Sequence, residues 1–252
     1  MPLLLRTAIA TVLILFPLHA GAADLVVSAA VSLKGAFVEV GEAFRRRHPG
    51  DRIIFNFGAS GELAQQIARG APVDVFASAG TREMSGLADQ HLLVSGSMKS
   101  FAGNRLVVVT PPAGKPVGSL RELAVFDRVA IGNPETVPAG RYAAEALKKE
   151  GIYGTLLARG KLIFAGSVRQ ALACVEADSV DAGLVYATDA RNNGKARVSF
   201  VVPAALTEPI LYPVALVKGS KHVELGRAFI DALVSESGQR ILHDHGFLRA
   251  PK

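Results

Sequence analysis

The sequence RIIFNFGASGELAQQIARGAPVDVFASA, at residues 52–79, contains two short apolar runs separated by a helical pattern. The runs Arg52–Phe57 and Asp74–Ala79 have the length and the apolar content of buried strands. Between them, Glu62–Arg69 has apolar residues at helical spacing, and Gly58–Gly61 consists of small residues suited to a tight turn. A strand, a helix and a second strand in this order predict a βαβ unit of a parallel sheet.

The same alternation extends in both directions from this unit. The predicted strand Leu25–Ala30 and helix Leu33–Arg47 precede it, and the predicted helix Thr81–Gln90 follows it. Further along lie the predicted strands Val129–Ile131, Leu162–Ala165, Ala182–Tyr186 and Val198–Val202 and the predicted helices Arg141–Glu150 and Val168–Ala177. The sequence therefore predicts two α/β units, each a mainly parallel sheet flanked by helices.

Two extended apolar segments, Arg105–Thr110 and Tyr212–Lys218, connect these units. We predict that they pair with each other as crossing hinge strands, and that the helices Glu224–Leu233 and Gly238–His243 pack back on the first unit. The expected result is a two-lobed protein that closes by hinge motion. The predicted boundaries are residues 24–102 and 213–252 for the first lobe and residues 103–212 for the second.

Residues 1–22 have the composition of a secretory signal peptide. Arg6 precedes an apolar run from Ala8 to Leu18, and Ala20-Gly21-Ala22 supplies the small residues of a cleavage site. The run is shorter than the roughly 20 residues that span a bilayer, so we expect an exported, periplasmic protein cleaved near Ala22. Cys174 is the only cysteine, so an intramolecular disulfide is excluded and we expect a buried thiol.

Composition argues against some classes of function. The chain is 50% hydrophobic and 20% charged, as expected of a compact globular protein, and its formal net charge is +6. The basic residues, such as Arg45-Arg46-Arg47, are not interleaved with aromatic residues, so nucleic-acid binding is not expected. A mild positive charge is compatible with attracting anions.

Small polar residues and glycines recur where a predicted strand ends and a helix begins. The four junctions are Ala30-Val31-Ser32, Gly58-Ala59-Ser60-Gly61, Pro138-Ala139-Gly140 and Gly166-Ser167. The start of a helix leaves backbone N–H groups without internal partners and carries a partial positive charge, which suits an anion. Since the carboxyl ends of parallel strands share one edge of a sheet, two facing lobes would bring two junctions each into one cleft.

Each junction also has an ordinary structural explanation. A serine before a helix commonly caps it, and this is the better-supported interpretation of Ser32 or Ser60 taken alone. Pro138 and Gly140 suit a helix start and a turn, and Tyr186 at a strand end suits a core aromatic residue. Only the coincidence of the four junctions favours an anion site.

Enzyme and cofactor motifs are incomplete in this sequence. Gly58-Ala59-Ser60-Gly61 approaches the G-x-S-x-G motif of serine hydrolases, but Glu62 stands where the second glycine is required. His243-Asp244-His245 offers two metal ligands without a third, and nucleotide-binding glycine motifs are absent. We predict a binding protein without catalytic residues, resident metal or cofactor, and keep a secreted serine hydrolase using Ser60 as the alternative of a different class.

Five blocks in the same order extend along nearly the whole predicted mature chain. They are AAVSL (residues 29–33), FGASGELAQQIARGAPVDVFASA (57–79), NPETVPAGRYAAEAL (133–147), VRQALACVE (168–176) and GLVYATDA (183–190). Together they resemble the periplasmic molybdate-binding proteins of molybdate importers, the ModA family. The resemblance implies a type II periplasmic-binding-protein fold, a Venus flytrap. It also implies a monomer that delivers its ligand to an ABC permease powered by a separate ATPase.

The resemblance further implies a ligand role for five residues. Carried over by position, the hydroxyls of Ser32 and Ser60 would hold a molybdate or tungstate ion from the first lobe. The amides of Ala139 and Val168 and the hydroxyl of Tyr186 would hold it from the second lobe.

Three positions depart from the family pattern. Asp178 stands where a glycine is common, and we expect it in a surface turn without effect on the site. Gly58 and Gly61 stand where relatives can have serine, which changes the number of hydroxyls expected near the ion.

The chemistry of the ion agrees with a site made of donors. Molybdate and tungstate are fully deprotonated dianions at neutral pH, so all their oxygens accept hydrogen bonds. Singly protonated phosphate has an O–H that needs an acceptor, and a buried group left unpaired costs about 1–3 kcal/mol. Sulfate has the charge of molybdate and a smaller size, so a protein of the same architecture for sulfate or another oxyanion is the second alternative. Whether Arg141 or Arg169 approaches the ion stays open.

Overall fold

The computed structural model describes residues 23–191 and 193–250. The predicted signal peptide, residues 1–22, lies outside the described residues. None of the helices in the described ranges combines the length and the apolar character of a membrane span.

Strands and helices alternate along the chain, as the sequence predicts. The strands are β1 (Asp24–Ala30), β2 (Arg52–Gly58), β3 (Val75–Ala77), β4 (Lys99–Gly103), β5 (Leu106–Thr110), β6 (Val129–Gly132), β7 (Leu162–Ala165), β8 (Ala182–Tyr186), β9 (Arg197–Val201) and β10 (Leu211–Leu216). The helices are α1 (Lys34–Arg47), α2 (Ser60–Ala68), α3 (Thr81–Asp89), α4 (Pro138–Lys149), α5 (Tyr153–Ala158), α6 (Val168–Glu176), α7 (Ala187–Ala190), α8 (Val223–Val234) and α9 (Glu236–Asp244). Short 3₁₀ turns lie at Val31–Leu33, Leu120–Val125 and Ala204–Leu206.

The strands of the described residues form two five-stranded mixed sheets. The first has the order β2-β1-β3-β10-β4, and the second has the order β7-β6-β8-β5-β9. In each sheet the fourth strand in this order, β10 or β5, runs antiparallel to both of its neighbours, and the other four strands point the same way. The predicted two-lobed α/β fold is confirmed. The first lobe contains the first sheet with α1, α2, α3, α8 and α9, and the second contains the second sheet with α4, α5, α6 and α7.

Helices bury their apolar faces against the sheets. In α1, Phe37 and Phe44 recur at helical spacing and are buried. Their rings lie 5.9 and 5.7 Å from the ring of Phe229 on α8, in edge-to-face contact. The carboxyl-terminal helices therefore pack back on the first lobe, as predicted.

The predicted pairing of the two crossing strands with each other is wrong. β5 pairs with β8 and β9 in the second sheet, and β10 pairs with β3 and β4 in the first. Every residue of β5 and nearly every residue of β10 is buried. Strands of this kind need cover on both faces, which an interior place in a sheet provides and a two-stranded hinge ribbon does not.

The chain crosses between the lobes in short connections. The first crossing is Asn104-Arg105, between β4 and β5, and the second lies between β9 and β10. The first sheet includes β4 as far as Gly103 and β10 from Leu211. The lobe boundaries at residues 102/103 and 212/213 stay a prediction.

Cys174 was expected to be buried, and it is partly exposed instead. It lies on α6, whose buried stripe is Val168, Ala171, Leu172 and Val175. The cysteine falls beside that stripe, so only part of its side chain packs against the core.

Candidate functional site

Strand ends and helix starts from both lobes meet around one small cavity. Its lining residues are Ala30, Val31, Ser32, Gly58, Ala59, Ser60, Ala79, Val137, Pro138, Ala139, Val168 and Tyr186. All five residues expected to hold an anion, namely Ser32, Ser60, Ala139, Val168 and Tyr186, are among them. The structure thus brings the five together, and their role as ligands stays a prediction.

The two serines of the first lobe are not helix caps. Ser32 lies in the 3₁₀ turn after β1, and Ser60 is the first residue of α2, without a capping hydrogen bond from either side chain. Ser167, by contrast, does cap α6 by accepting from the N–H of Gln170. The capping explanation therefore holds for the fourth junction and not for Ser32 or Ser60.

Both serines are held by contacts within the first lobe. Ser60 is completely buried, and its Oγ accepts a hydrogen bond from the N–H of Ala79 at 3.0 Å. Its own proton is therefore left for another acceptor. The Oγ of Ser32 lies 3.4 Å from the Oη of Tyr212 on β10.

Two helices of the second lobe bring first-turn amides to the cavity. Ala139 is the second residue of α4, and Val168 is the first residue of α6. N–H groups in a first turn have no acceptor inside their own helix. The start of α4 lies close to β6 because residue 140 is glycine, and a side chain there would overlap the carbonyl oxygen of Gly132.

Tyr186, the last residue of β8, reaches from the second lobe to the first. Its hydroxyl donates a hydrogen bond to the carbonyl oxygen of Ala79 at 2.9 Å. Burial raises the pKa of Tyr186 well above its usual value, and the nearby Tyr212 adds to the effect. The hydroxyl therefore keeps its proton at neutral pH, and it can donate to an anion only by releasing the carbonyl of Ala79.

Every residue that lines the cavity is uncharged. The arginines that adjoin the lining segments of α4 and α6 are paired with carboxylates. Arg141 donates from Nη1 and Nη2 to the two carboxylate oxygens of Glu83, at 2.8 and 3.2 Å. The Nε of Arg169 lies 2.8 Å from the Oδ1 of Asp189. Neither arginine lines the cavity, and both positive charges are balanced by the protein itself.

Asp189 is a buried carboxylate of α7 close to this region. Burial raises its pKa to about 6, and the charge of Arg169 opposes the shift. Although Arg169 is near, neither carboxylate oxygen has an aligned hydrogen bond from another described residue. Asp189 does not line the cavity.

The two lobes contact each other beside the cavity. The N–H of Gly61 on α2 donates to the carbonyl oxygen of Thr136, which precedes α4, at 2.9 Å. A Cβ at position 61 would lie 2.6 Å from that oxygen. Glycine at this position therefore permits the close approach of the lobes. From the sequence, we expected the glycine only to remove a hydroxyl that relatives can have near the ion. Gly61 itself is not among the lining residues.

Sequence reasoning missed Glu83 and placed Tyr212 only in a crossing strand. Glu83 lies four residues before Leu87 on the buried face of α3. A carboxylate on an apolar helical face is a signal that could have identified it, because such a group needs a buried partner. For Tyr212 the sequence contains no comparable signal.

Asp178, where relatives commonly have glycine, has a left-handed backbone with a φ of 54°. This conformation explains the glycine of the family pattern, because glycine adopts it without steric cost. The residue is exposed, in agreement with the predicted surface turn.

Two α/β lobes joined by two short crossovers, with a cavity of neutral hydrogen-bonding groups between them, define a two-lobed solute-binding protein. Residues 25–248 match the family described as bacterial extracellular solute-binding protein. The chain belongs to this family.

Named relatives cover nearly the whole chain. It is 34% identical to the molybdate-binding protein ModA of Haemophilus influenzae, over 96% of this chain and 97% of that protein. It is 35% identical to the molybdate-binding protein ModA of Escherichia coli, over 88% of each. The solved periplasmic molybdate-binding protein of Azotobacter vinelandii superposes with a TM-score of 0.81 at 24% identity, over 90% of this chain and 100% of that one, and shows the same fold.

The chain is a solute-binding protein and not an enzyme, as its family and its relatives show. The hydrolase alternative assigned a nucleophilic role to Ser60. Among the described residues, the hydrogen-bond partner of the Ser60 hydroxyl is the N–H of Ala79, not a histidine base. That alternative is not supported.

Proposed function

We propose that this protein captures molybdate, and tungstate as a second substrate, in the cavity between its lobes and delivers the ion to an ABC permease. The permease would lie in the inner membrane and be driven by a separate ATPase. Two relatives named as molybdate-binding proteins, each at least 34% identical over most of the chain, support this substrate. We further propose a periplasmic monomer whose signal peptide is cleaved near Ala22.

One observation carries the proposal: five hydrogen-bond donors from two lobes line one cavity without a charged residue among its walls. A dianion with four accepting oxygens needs donors on all sides and no acceptor. The hydroxyls of Ser32 and Ser60 and the amides of Ala139 and Val168 meet that need, and the hydroxyl of Tyr186 joins them when it releases the carbonyl oxygen of Ala79. Helix starts add favourable partial positive charge at the two amides.

The paired arginines fit the same function. A dianion held by a free arginine gains a strong charge-assisted bond, which also slows its release. Here the charges of Arg141 and Arg169 are already balanced by Glu83 and Asp189. Neutral donors can therefore hold the ion in the closed protein and release it when the lobes separate.

Isothermal titration calorimetry with molybdate, tungstate, sulfate and phosphate tests the proposal. Heat is the suitable readout because the chain contains no tryptophan. We expect tight binding of molybdate and tungstate and much weaker binding of the other two anions. In a parallel thermal unfolding series, a ligand at 100 times its Kd should stabilise the fold by about 2.7 kcal/mol, which raises Tm by roughly 5–10 °C.

Two results would contradict the proposal. The first is the absence of heat and of stabilisation with molybdate. The second is binding of sulfate or phosphate at least as tight as that of molybdate, which would assign the same fold to another oxyanion.

A further inference from the structure

A serine hydroxyl can either donate or accept a hydrogen bond, so serines alone do not make a cavity that only donates. Whether a serine hydroxyl donates or accepts toward the cavity depends on which groups already bond to its oxygen. For Ser60, the N–H of Ala79 can only donate, and it occupies one acceptor position of Oγ. For Ser32, the neighbour is the hydroxyl of Tyr212, and a distance between two hydroxyls does not give the direction of the bond.

Asn104, at the crossover between the lobes, fixes that direction. The N–H of Arg105 can only donate, and it lies 2.8 Å from the Oδ1 of Asn104, which identifies the oxygen of that side-chain amide. The other end, Nδ2, can only donate. It lies 3.0 Å from the Oη of Tyr212 and 2.9 Å from the Oγ1 of Thr188.

Tyr212 therefore accepts a bond from Asn104, and its own proton points to another acceptor. The Oγ of Ser32, 3.4 Å away, is the neighbour that can receive it, in a contact longer than the roughly 2.5–3.0 Å of most O–H···O hydrogen bonds. Burial raises the pKa of Tyr212 well above its usual value, so the hydroxyl keeps the proton that it donates. The proton of Ser32 is then left for the cavity.

Packing holds the tyrosine hydroxyl in place. Tyr212 is completely buried, and its ring contacts the rings of Phe101, Tyr186 and Phe247 at centroid distances of 6.3, 5.7 and 5.3 Å. A ring enclosed in this way fixes the position of the hydroxyl oxygen, and the bond accepted from Asn104 then leaves the proton for another neighbour.

We propose that Asn104 and Tyr212 are positioning residues that hold Ser32 as a proton donor toward the cavity, and that they thereby favour fully deprotonated oxyanions over singly protonated ones. The inference rests on the proposed function and deepens it. Asn104 also contacts Thr188 of the second lobe, so the orienting bonds connect the crossover, both lobes and the site.

Tyr212→Phe tests the inference, because it removes the hydroxyl and keeps the ring. Without the donor, Ser32 can present its lone pair to a ligand. We expect molybdate affinity to fall about five- to tenfold, as for the loss of one hydrogen bond. Phosphate affinity, measured by competition calorimetry at pH 7, should stay the same or rise. The ratio of molybdate affinity to phosphate affinity should therefore decrease. Tyr153→Phe, on α5 and outside the cavity lining, is the control and should change neither value.

Asn104→Asp tests the direction of the bonds. An aspartate accepts at both oxygens, so Tyr212 would donate to it and Ser32 would have to donate to Tyr212. We expect a larger loss of molybdate affinity than in Tyr212→Phe, on the order of 100-fold, part of which comes from the added charge. The double variant Asn104→Asp/Tyr212→Phe separates the two effects, because the charge remains and the orienting hydroxyl is absent.

The outcomes distinguish the inference from the proposed function. If the unmodified protein binds molybdate while both single variants keep its affinity and its molybdate-to-phosphate ratio, the positioning role is wrong and the function stands. If the effects of the two substitutions simply add in the double variant, the proposed directions of the hydrogen bonds from Asn104 through Tyr212 to Ser32 are likewise wrong. If the unmodified protein binds none of the oxyanions, the function and the inference fall together. Thermal unfolding of each variant checks folding. If Tyr212→Phe does not fold, Asn104→Asp is judged by its ratio of molybdate to phosphate affinity, because the added charge weakens the binding of both anions, whereas a reoriented Ser32 weakens only that of molybdate.

Discussion

Ser60 is a buried residue whose hydroxyl has one proton to give, since the N–H of Ala79 already bonds to its oxygen. We expect Ser60→Ala to weaken molybdate binding by about 10- to 100-fold in calorimetry, because a hydrogen bond to a charged group contributes about 1.5–3 kcal/mol. Ser235→Ala is the matched control. Ser235 caps α9 through the N–H of Gly238, so its loss should lower the unfolding free energy by about 1 kcal/mol and leave affinity unchanged. Unchanged affinity in Ser60→Ala would remove this residue from the site.

The residues around the cavity could be predicted from the sequence, while the groups that orient them could not. Small residues at strand ends and the family resemblance were sufficient for Ser32 and Ser60. Tyr212, however, lies 180 positions from Ser32 in the chain, and Glu83 lies 58 positions from Arg141. The first contact depends on the return of β10 to the first sheet, and the second depends on how the two lobes meet. A pattern of local spacing encodes neither.

The buried carboxylate of Asp189 leads to a prediction about how the unfolding free energy depends on pH. Its pKa is about 6 in the folded protein, where burial raises it against the opposing charge of Arg169, and about 3.9 in an unfolded chain. The folded state therefore binds the proton more tightly, and ionisation of this residue costs stability as pH rises from about 4 to above 6. Asp189→Asn removes that cost. We expect the unfolding free energy of the variant to increase relative to the unmodified protein across this window, as measured by urea denaturation.

The same series needs a carboxylate that is not buried as its control. Asp178→Asn changes an exposed aspartate and is measured beside Asp189→Asn for comparison. If Asp189→Asn shows a constant difference from pH 4 to 7, the proposed ionisation of Asp189 is wrong.

At the scale of elements, the chain crosses between the lobes twice, each time between two consecutive strands. β4 belongs to the first sheet, and the next strand, β5, enters the second. β9 belongs to the second sheet, and the next strand, β10, returns to the first. β5 and β10, the strands that follow the two crossovers, each lie between two strands and run antiparallel to both. Both crossovers are therefore anchored in sheets.

Strand and helix positions could be predicted from periodicity, while the pairing partners of β5 and β10 could not. β5 and β10 stand out as continuous apolar runs, but periodicity does not identify their partners. β4, with the sequence Lys-Ser-Phe-Ala-Gly, has two polar residues and a terminal glycine, and it was missed. Without β4 as a neighbour for β10, pairing the two apolar runs with each other was the simplest assignment.

The start of α2 and the loop before α4 approach too closely for a side chain at position 61. A Cβ there would lie 2.6 Å from the carbonyl oxygen of Thr136, and its nearest atoms all belong to the opposite lobe. We expect Gly61→Ala to weaken molybdate binding at least tenfold by hindering closure, with little change in the Tm of the ligand-free protein. Small-angle X-ray scattering should show that molybdate reduces the radius of gyration less in this variant than in the unmodified protein.

Gly86→Ala is the matched control for this substitution. Gly86 lies inside α3, with nothing within 4 Å of an added Cβ, so alanine should stabilise the helix slightly and leave affinity unchanged. Full compaction and full affinity in Gly61→Ala would show that the lobes do not need the approach seen at this position.

At the scale of the whole molecule, three pairs of described residues join the two lobes around the cavity. Gly61 bonds to Thr136, Tyr186 bonds to Ala79, and Arg141 pairs with Glu83. The partners in each pair are distant in the sequence, and each pair would separate if the lobes opened as proposed. Ligand affinity therefore depends on these contacts as well as on the donors, because binding is measured against the open protein.

The pair of Arg141 and Glu83 permits the clearest test of that dependence. Their side chains are largely buried, with exposed fractions of 22% and 6%, and their two hydrogen bonds join α4 to α3 across the cleft. We expect Glu83→Arg alone or Arg141→Glu alone to lower molybdate affinity tenfold or more, because like charges would face each other only in the closed form. The double reversal restores an opposite pair and should recover affinity to within a few-fold. Reversal of the exposed pair Arg52 and Asp24, which lies within the first lobe, is the control and should have no effect. If the double reversal binds no better than the single variants, the two residues act separately on the site, and closure does not depend on their pairing.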